Sequence, residues 1–120
     1  MKTFILLFSL LILSGFTKVS NEEITCMAKN IYFEARDQTT KGQIAVALVT
    51  INRVKSRRFP NSICKVVKQA RYKNGKIVKH KCHFSWFCDG LSDRPKDKIA
   101  WKVSKAVSYT HLTLPTIYTV

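Results

Sequence analysis

Three features of the sequence predict an α+β fold that is mainly helical, in one domain with a small β-hairpin. Apolar residues recur at helical spacing in several stretches of the chain. The dipeptide Asn74-Gly75 lies between two short β-compatible runs, which is the strongest local signal for a hairpin. A length of 120 residues with 46% hydrophobic residues allows one folded domain and excludes a disordered basic tail.

The first two helices follow from capping residues and apolar spacing. Ser20 and Glu23 form a capping-box pattern, and an apolar stripe continues from them through about Ala35. A second helix is expected to begin after Thr39 or Thr40. Because residues 44–51 are nearly all apolar, we expect this second helix to be buried on most sides.

Weaker signals place the later elements. We expect Asn61 to cap a short helix from Ser62 to about Gln69, just before the hairpin. A last helix is expected to start near Pro95, with Asp93 as its cap. The apolar stripe of this last helix should face the core, and it consists of Ile99, Ala100, Val103, Ala106 and Val107.

Both ends of the chain differ from the middle. Residues 1–20 are typical of a secretory signal, because Lys2 precedes an apolar run that ends in small residues; an uncleaved membrane anchor is the alternative. Residues 21–107 form the expected domain. Residues 108–120 contain no Asp, Glu, Lys or Arg, which predicts a non-native tail on a truncated domain, the alternative being a genuine C-terminal strand.

The charge of the chain indicates an anionic partner outside the cytoplasm. Lys and Arg number 21 against 7 Asp and Glu, a formal net charge of +14. Nucleic acid, an acidic membrane surface and an anionic envelope polymer all fit such a charge. Export argues against nucleic acid and favours the envelope polymer, in the periplasm, cell envelope or extracellular space. We expect a monomer that contacts the membrane only through its N-terminal segment.

Four cysteines in a small exported chain predict disulfides. Four cysteines allow three connectivities. The short spacing of Cys82 and Cys88 favours a bond between them, which leaves Cys26 to pair with Cys64. The alternative is a zinc site, although its spacing lacks paired C-x2-C motifs; its ligands would come from Cys64, His80, Cys82, His83 and Cys88.

One carboxylate stands out as a candidate general acid. Glu34 lies about 20° outside Met27 on a helical projection, at the edge of the apolar stripe. Partial desolvation there would raise the pKa of its carboxyl group and suit it to acid catalysis. The alternative is an exposed glutamate paired with a nearby base. Most of the other carboxylates fall at predicted helix starts, and the full set is Glu22, Glu23, Glu34, Asp37, Asp89, Asp93 and Asp97.

Two further groups have both a structural and a functional interpretation. Phe84, Trp86 and Phe87 either belong to the core or offer ring faces for stacking on sugars. A basic stretch forms either a solvated face or a counter-surface for a polyanion, and its members are Lys65, Lys68, Arg71, Lys73, Lys76, Lys79 and Lys81.

Several ordered sequence blocks together resemble one known family. The blocks extend over nearly all of residues 26–107 and comprise 28–36, 42–47, 52–54, 58–61, Cys64, Val66-Val67, Gln69, 84–86 and 89–90. At these residues the chain resembles the SleB/CwlJ-type cell-wall hydrolases, the spore-cortex-lytic family. Residues 21–107 would then be their catalytic domain, truncated at its C-terminal end.

The resemblance implies a lysozyme-like fold that cleaves peptidoglycan glycan strands between N-acetylmuramic acid and N-acetylglucosamine. Glu34 matches the glutamate that opens the family motif Glu-Ala-Arg-Gly-Glu, the expected catalytic acid. By the same analogy Gln69, Phe84, Ser85 and Trp86 line the glycan cleft. The chain departs from the motif where Asp37-Gln38 replaces Gly-Glu.

With Glu34 as the one candidate acid, the sequence favours a lytic transglycosylase over a two-carboxylate glycosidase. Two-carboxylate glycosidases need a second carboxylate, and no spacing secures Asp37 or Asp89 for that role. We therefore expect a lytic transglycosylase that uses Glu34 as general acid and base, without metal or cofactor. The alternative function is a small cationic disulfide-linked secreted protein that binds anionic envelope polymers without catalysis.

Overall fold

Four α-helices and one antiparallel hairpin make up residues 19–113, the part of the chain that the computed structural model describes. The expected signal segment and the end of the expected tail, residues 1–18 and 114–120, lie outside this part. The elements are α1 (Asn21–Ala35), α2 (Thr40–Lys55), α3 (Ile63–Val67), β1 (Ala70–Lys73), β2 (Lys76–Cys82), a 3-10 turn (Ser85–Cys88) and α4 (Lys98–Thr113). The mainly helical α+β class is thereby confirmed. Within residues 19–113 no helix has the length and hydropathy needed to cross a membrane.

Helix α1 lies at the centre and packs against the other three helices. Ser20 caps it, with its hydroxyl accepting a hydrogen bond from the Glu23 amide at 3.2 Å. The Glu23 carboxylate reaches across the molecule, where it accepts from the amides of Ile63 at 2.6 Å and Cys64 at 3.2 Å. One side chain therefore joins the first turn of α1 to the start of α3, whose unpaired amides need an acceptor.

Helix α2 is buried on one side only, so the expectation of burial on most sides is wrong. Its buried residues are Gln43, Ala47 and Thr50, which recur every three or four positions and face the other helices. Val49, on the opposite side, is 45% exposed. The apolar run predicted too much burial because no other described element covers the outer face of α2.

Two predicted caps are also wrong, each by a short distance. Ser62, rather than Asn61, caps α3, and its hydroxyl accepts from the Lys65 amide at 3.2 Å. Asp97, rather than Asp93, caps α4, because its carboxylate accepts from the amides of Ile99 and Ala100 at 3.0 Å each. In both places several suitable side chains compete within a few residues, and only tertiary packing decides between them.

Helix α4 presents a different face to the core from the one predicted. Ile99 is 79% exposed and Val103 is 42% exposed, whereas Ser104 and Ser108 are fully buried. Small side chains let α4 approach α1 closely, and the Ser108 hydroxyl donates to the Ile24 carbonyl at 2.7 Å. The helix also continues through Thr113, past the predicted domain end at residue 107.

The hairpin has the predicted turn and one irregularity. Asn74 and Gly75 both have positive φ, 52° and 74°, as a type I′ turn requires. The register changes between the pairs Ala70–Cys82 and Tyr72–Ile77, so β2 carries extra residues that bulge from the ladder. His80 lies in this bulge with a left-handed φ of 64°.

Both expected disulfides are present. Cys26 is bonded to Cys64, with 5.2 Å between their Cα atoms, and this bond ties α1 to α3. Cys82 is bonded to Cys88, with a Cα separation of 6.0 Å, and this bond ties β2 to the 3-10 turn. The sulfurs of the alternative zinc site are therefore consumed, and no cluster of metal-binding side chains occurs in residues 19–113.

Candidate active site

Glu34 lies in the last turn of α1, where its side chain remains accessible from solvent. Neighbouring protein atoms nevertheless crowd its carboxyl group, and this burial raises the pKa of Glu34 above its ordinary value. The positive charge of Arg53 on α2 acts in the opposite direction but does not reverse the shift. A carboxyl group that is reachable and holds its proton to higher pH has the properties of a general acid.

Arg53 is held in place by two aromatic rings. Its guanidinium carbon lies 5.2 Å from the ring centre of Phe59 and 4.9 Å from that of Phe84. One of its terminal nitrogens, Nη1, is buried and has no hydrogen-bond partner among residues 19–113. The guanidinium is therefore fixed near Glu34, with one buried nitrogen that donates to no described residue.

A buried polar network connects α1, α2 and the 3-10 turn. Asn30 is fully buried, and its amide nitrogen donates to the Thr50 hydroxyl at 3.0 Å. Its amide oxygen accepts from the indole nitrogen of Trp86 at 2.9 Å. Phe33 then stacks on the Trp86 ring at 4.9 Å between ring centres. The network thus fixes the 3-10 turn against the end of α1 that carries Glu34.

The predicted Phe-Ser-Trp segment is mostly part of the core. Phe84 is 8% exposed and Trp86 is 6% exposed, while Ser85 between them is exposed. Of the three, Ser85 alone presents a substantial surface to a ligand in this structure. Phe84 and Trp86 act on the site indirectly, Phe84 through Arg53 and Trp86 through Phe33.

An open cleft of about 350 Å³ lies beside the end of α1. Tyr32 and Phe33, the two residues before Glu34, form one wall, and Arg36 and Arg94 bring positive charge to it. Tyr32 is anchored, because its hydroxyl accepts from the amides of Lys96 at 3.1 Å and Asp97 at 3.0 Å. The cleft therefore places aromatic and cationic groups at the same end of α1 as the candidate acid, although Glu34 is not itself one of its lining residues.

Gln38, where the family motif has glutamate, packs against the first turn of α2. A Cβ atom added at Gly42 would lie 2.9 Å from the Gln38 Cβ, so glycine is needed at this close approach. The Gln43 side chain donates to the Gln38 carbonyl at 3.5 Å. Gln38 thus helps to hold the loop between α1 and α2.

Gln69 stays a predicted residue of the glycan cleft. It lies at the base of the hairpin, where its carbonyl accepts from the His83 amide at 3.1 Å. Its side-chain oxygen is buried and has no hydrogen-bond partner among the described residues. Gln69 lines a separate cleft together with Lys65 and Lys68.

The remaining carboxylates have other contacts. Asp89 accepts from the Leu91 amide at 2.8 Å, and Asp97 caps α4. Burial, with a smaller contribution from Asp89, raises the pKa of Asp93, while Lys29 opposes the shift. Sequence reasoning missed Arg53 and Asn30, since neither a basic nor an amide side chain on an amphipathic helix signals burial.

Comparison with known proteins decides the family. The family model described as Cell Wall Hydrolase matches residues 37–117. The chain belongs to this family. The match begins three residues after Glu34, so it covers α2, the hairpin and α4 but not the candidate acid itself.

Relatives named as spore cortex-lytic enzymes are similar to this chain over a shorter segment. The spore cortex-lytic enzyme of Bacillus subtilis (strain 168) is 44% identical over 48 residues, 40% of this chain and 16% of that protein. The enzymes of the same name from Bacillus cereus and Oceanobacillus iheyensis are 42% and 40% identical over 52 residues, 20% and 19% of those proteins. The chain thus matches a fifth or less of each relative. No solved structure matches it, so the lysozyme-like part of the fold expectation stays a prediction.

Proposed function

We propose that this cell wall hydrolase cleaves peptidoglycan glycan strands between N-acetylmuramic acid and N-acetylglucosamine, as a lytic transglycosylase with Glu34 as general acid and base. The observation that carries the proposal is the accessible Glu34 carboxyl with its raised pKa, near the guanidinium of Arg53 that two aromatic rings hold in place. Family membership and the spore cortex-lytic relatives support peptidoglycan as the substrate. Two disulfides support a site of action outside the cytoplasm.

The proposed reaction needs one acid and no added water. Glu34 donates its proton to the glycosidic oxygen, and the bond from that oxygen to the anomeric carbon of N-acetylmuramic acid breaks. The Glu34 carboxylate then accepts the proton of the 6-hydroxyl group of the same sugar, whose oxygen bonds to the anomeric carbon. The products are a 1,6-anhydro sugar and a free N-acetylglucosamine hydroxyl, and Glu34 regains its proton.

Fixed positive charge near the site suits this chemistry. The Arg53 guanidinium is a delocalised cation held between two rings, and its charge acts on the ionised form of Glu34 that exists between the two proton transfers. We propose that its positive charge stabilises this form. Ser85 is a further proposed substrate contact.

Product analysis tests the proposal. Purified peptidoglycan incubated with the chain should release disaccharide peptides that end in 1,6-anhydro-N-acetylmuramic acid. Because no water is added, these products are lighter than the hydrolysis products by one water molecule, about 18 Da. Mass spectrometry with and without borohydride reduction separates the two, since only reducing ends take up hydrogen. Products with reducing ends would show hydrolysis and would overturn the transglycosylase assignment, and no products at all would favour binding without catalysis.

Arg53→Gln should move the alkaline limb of the pH–activity profile to higher pH. A general acid is active when protonated, and the Arg53 charge favours the ionised carboxylate, so it lowers the pKa of Glu34 against the effect of burial. Without that charge burial acts alone, the pKa of Glu34 rises, and the protonated form persists to higher pH. Arg53→Lys retains the charge and serves as control. A limb that stays in place or moves to lower pH in Arg53→Gln would contradict the coupling.

A further inference from the structure

The segment that contains α2, α3 and the hairpin is purely cationic. All seven carboxylates of the chain lie outside residues 38–88, so no acid in this segment offsets its Lys and Arg residues. Surfaces of a single sign attract polyanions and repel polycations over distances of several ångströms. An anionic ligand would therefore be drawn to this side of the molecule first.

Two open clefts lie on this cationic segment, and they meet at Ala70 and His83. The first, of about 550 Å³, is lined by the ammonium groups of Lys65 and Lys68 and by the ring of Tyr72, which is 58% exposed. The buried, unpartnered side-chain oxygen of Gln69 also belongs to this cleft. Two cations, an amide and an exposed aromatic face form a site suited to a sugar that carries an acidic substituent.

The second cleft, of about 500 Å³, depends on the bulge in β2. In a regular strand, His80 and Lys81 would point to opposite faces of the sheet. The left-handed φ of 64° at His80 breaks this alternation, and both residues line the same cleft beside Arg71. Such a backbone conformation is costly for a residue other than glycine, and the bulge uses it to gather basic side chains on one surface.

Ring contacts connect the two clefts to Arg53 of the candidate active site. Arg53, whose charge acts on Glu34, stacks against Phe59. The Phe59 ring lies edge-on to the ring of His83, with 6.1 Å between their centres. Because His83 lines both clefts, the contact between Phe59 and His83 places the cationic surface on the side of Arg53 that Phe59 covers.

We propose that these two clefts bind the carboxylate groups of the peptide stems that substitute the glycan strand. The inference rests on the proposed function, because it names a further part of the same substrate. Stem peptides carry carboxylates at intervals along the strand, and Lys65, Lys68, Arg71 and Lys81 supply charge-assisted donors for them. The surface therefore favours glycan strands that still carry their peptides over strands from which the peptides have been removed.

Binding measurements with two matched double variants test this assignment. Lys65→Gln/Lys68→Gln removes two charges from the first cleft, and Lys98→Gln/Lys102→Gln removes two exposed charges from α4. Each pair is made in the full chain with Glu34→Gln, which keeps the polymer intact during the measurement. The probes are purified insoluble peptidoglycan and the same glycan after an amidase has removed its stems.

The first variant should bind stem-bearing peptidoglycan about fivefold more weakly, with a shallower salt dependence, and should bind stem-free glycan unchanged. The α4 variant should bind both as the parent does. Arg71→Gln/Lys81→Gln, in the second cleft, should repeat the selective loss, which guards against a folding defect in any one variant. Equal losses in the α4 variant, or on stem-free glycan, would overturn the proposal.

A binding measurement with inorganic polyphosphate tests which anion the two clefts bind. If the cleft variants lose affinity for inorganic polyphosphate but retain it for stem-bearing peptidoglycan, the clefts take phosphate and the carboxylate assignment is wrong. Cleavage is measured separately with the parent chain. Selective binding without cleavage would refute the proposed function and leave the stem-binding site standing, so the two failures are distinguishable.

Discussion

Glu34→Gln is expected to reduce the cleavage of purified peptidoglycan by about 10²–10⁴-fold while the fold remains intact. The amide has nearly the shape of the carboxyl group but carries no proton that it can transfer to the glycosidic oxygen. Because the side chain is accessible and accepts no hydrogen bond from residues 19–113, stability should change little. Release of soluble saccharides, with circular dichroism as a folding check, measures both effects.

Glu22→Gln is the matched control for this experiment. Glu22 lies on the same helix in its first turn, is exposed, and loses the same charge on substitution. We expect it to retain the parent activity. Comparable activity in Glu34→Gln and Glu22→Gln would refute the assignment of Glu34 and would direct attention to Asp93, the other carboxyl group whose pKa is raised.

Asn30→Ala is expected to lower the free energy of unfolding by about 3 kcal/mol. The substitution leaves the buried indole N–H of Trp86 without an acceptor, and an unsatisfied buried donor costs about 1–3 kcal/mol. It also removes the amide donor to the Thr50 hydroxyl, which keeps its own bond to the Val46 carbonyl, and opens a small cavity at a fully buried position. Urea unfolding followed by tryptophan fluorescence and circular dichroism measures the loss.

Asn61→Ala provides the control for Asn30→Ala. Asn61 is exposed and does not cap α3, so the same truncation there should cost less than about 0.5 kcal/mol. If both variants unfold at the same urea concentration as the parent, the network between Asn30, Thr50 and Trp86 contributes little to stability. Trp86 would then be free to move relative to α1.

Features controlled by local sequence could be predicted. The Asn74-Gly75 turn needs two left-handed residues, and few dipeptides other than Asn-Gly satisfy that requirement. Ser20 and Thr39 cap α1 and α2 as expected, because an N-cap depends on contacts within three residues. Glu34 could be identified as a candidate because helical periodicity places it at the boundary of the buried stripe and because the family motif begins there.

Features decided by distant contacts could not be predicted. The buried face of α4 is built from serines, and hydropathy alone ranks Val103 above Ser104 as a core residue. The hydrogen-bond partners of Asn30 lie 20 and 56 residues away in the sequence, so no local pattern predicts its burial. Gln69, assigned to the glycan cleft by analogy, lies beside the hairpin and lines a cleft with Lys65 and Lys68, so its assignment stays a prediction.

The many attachments of helix α1 have a consequence for how the protein responds to stress. A disulfide at Cys26, the Glu23 contact with α3, the Asn30 network and the Tyr32 hydroxyl bonds attach it along its length to four other segments. Such a helix cannot open by itself, and its amide protons exchange with solvent only when the whole domain unfolds. Glu34 therefore keeps its position until the cooperative transition, and heat inactivation should coincide with global melting rather than precede it.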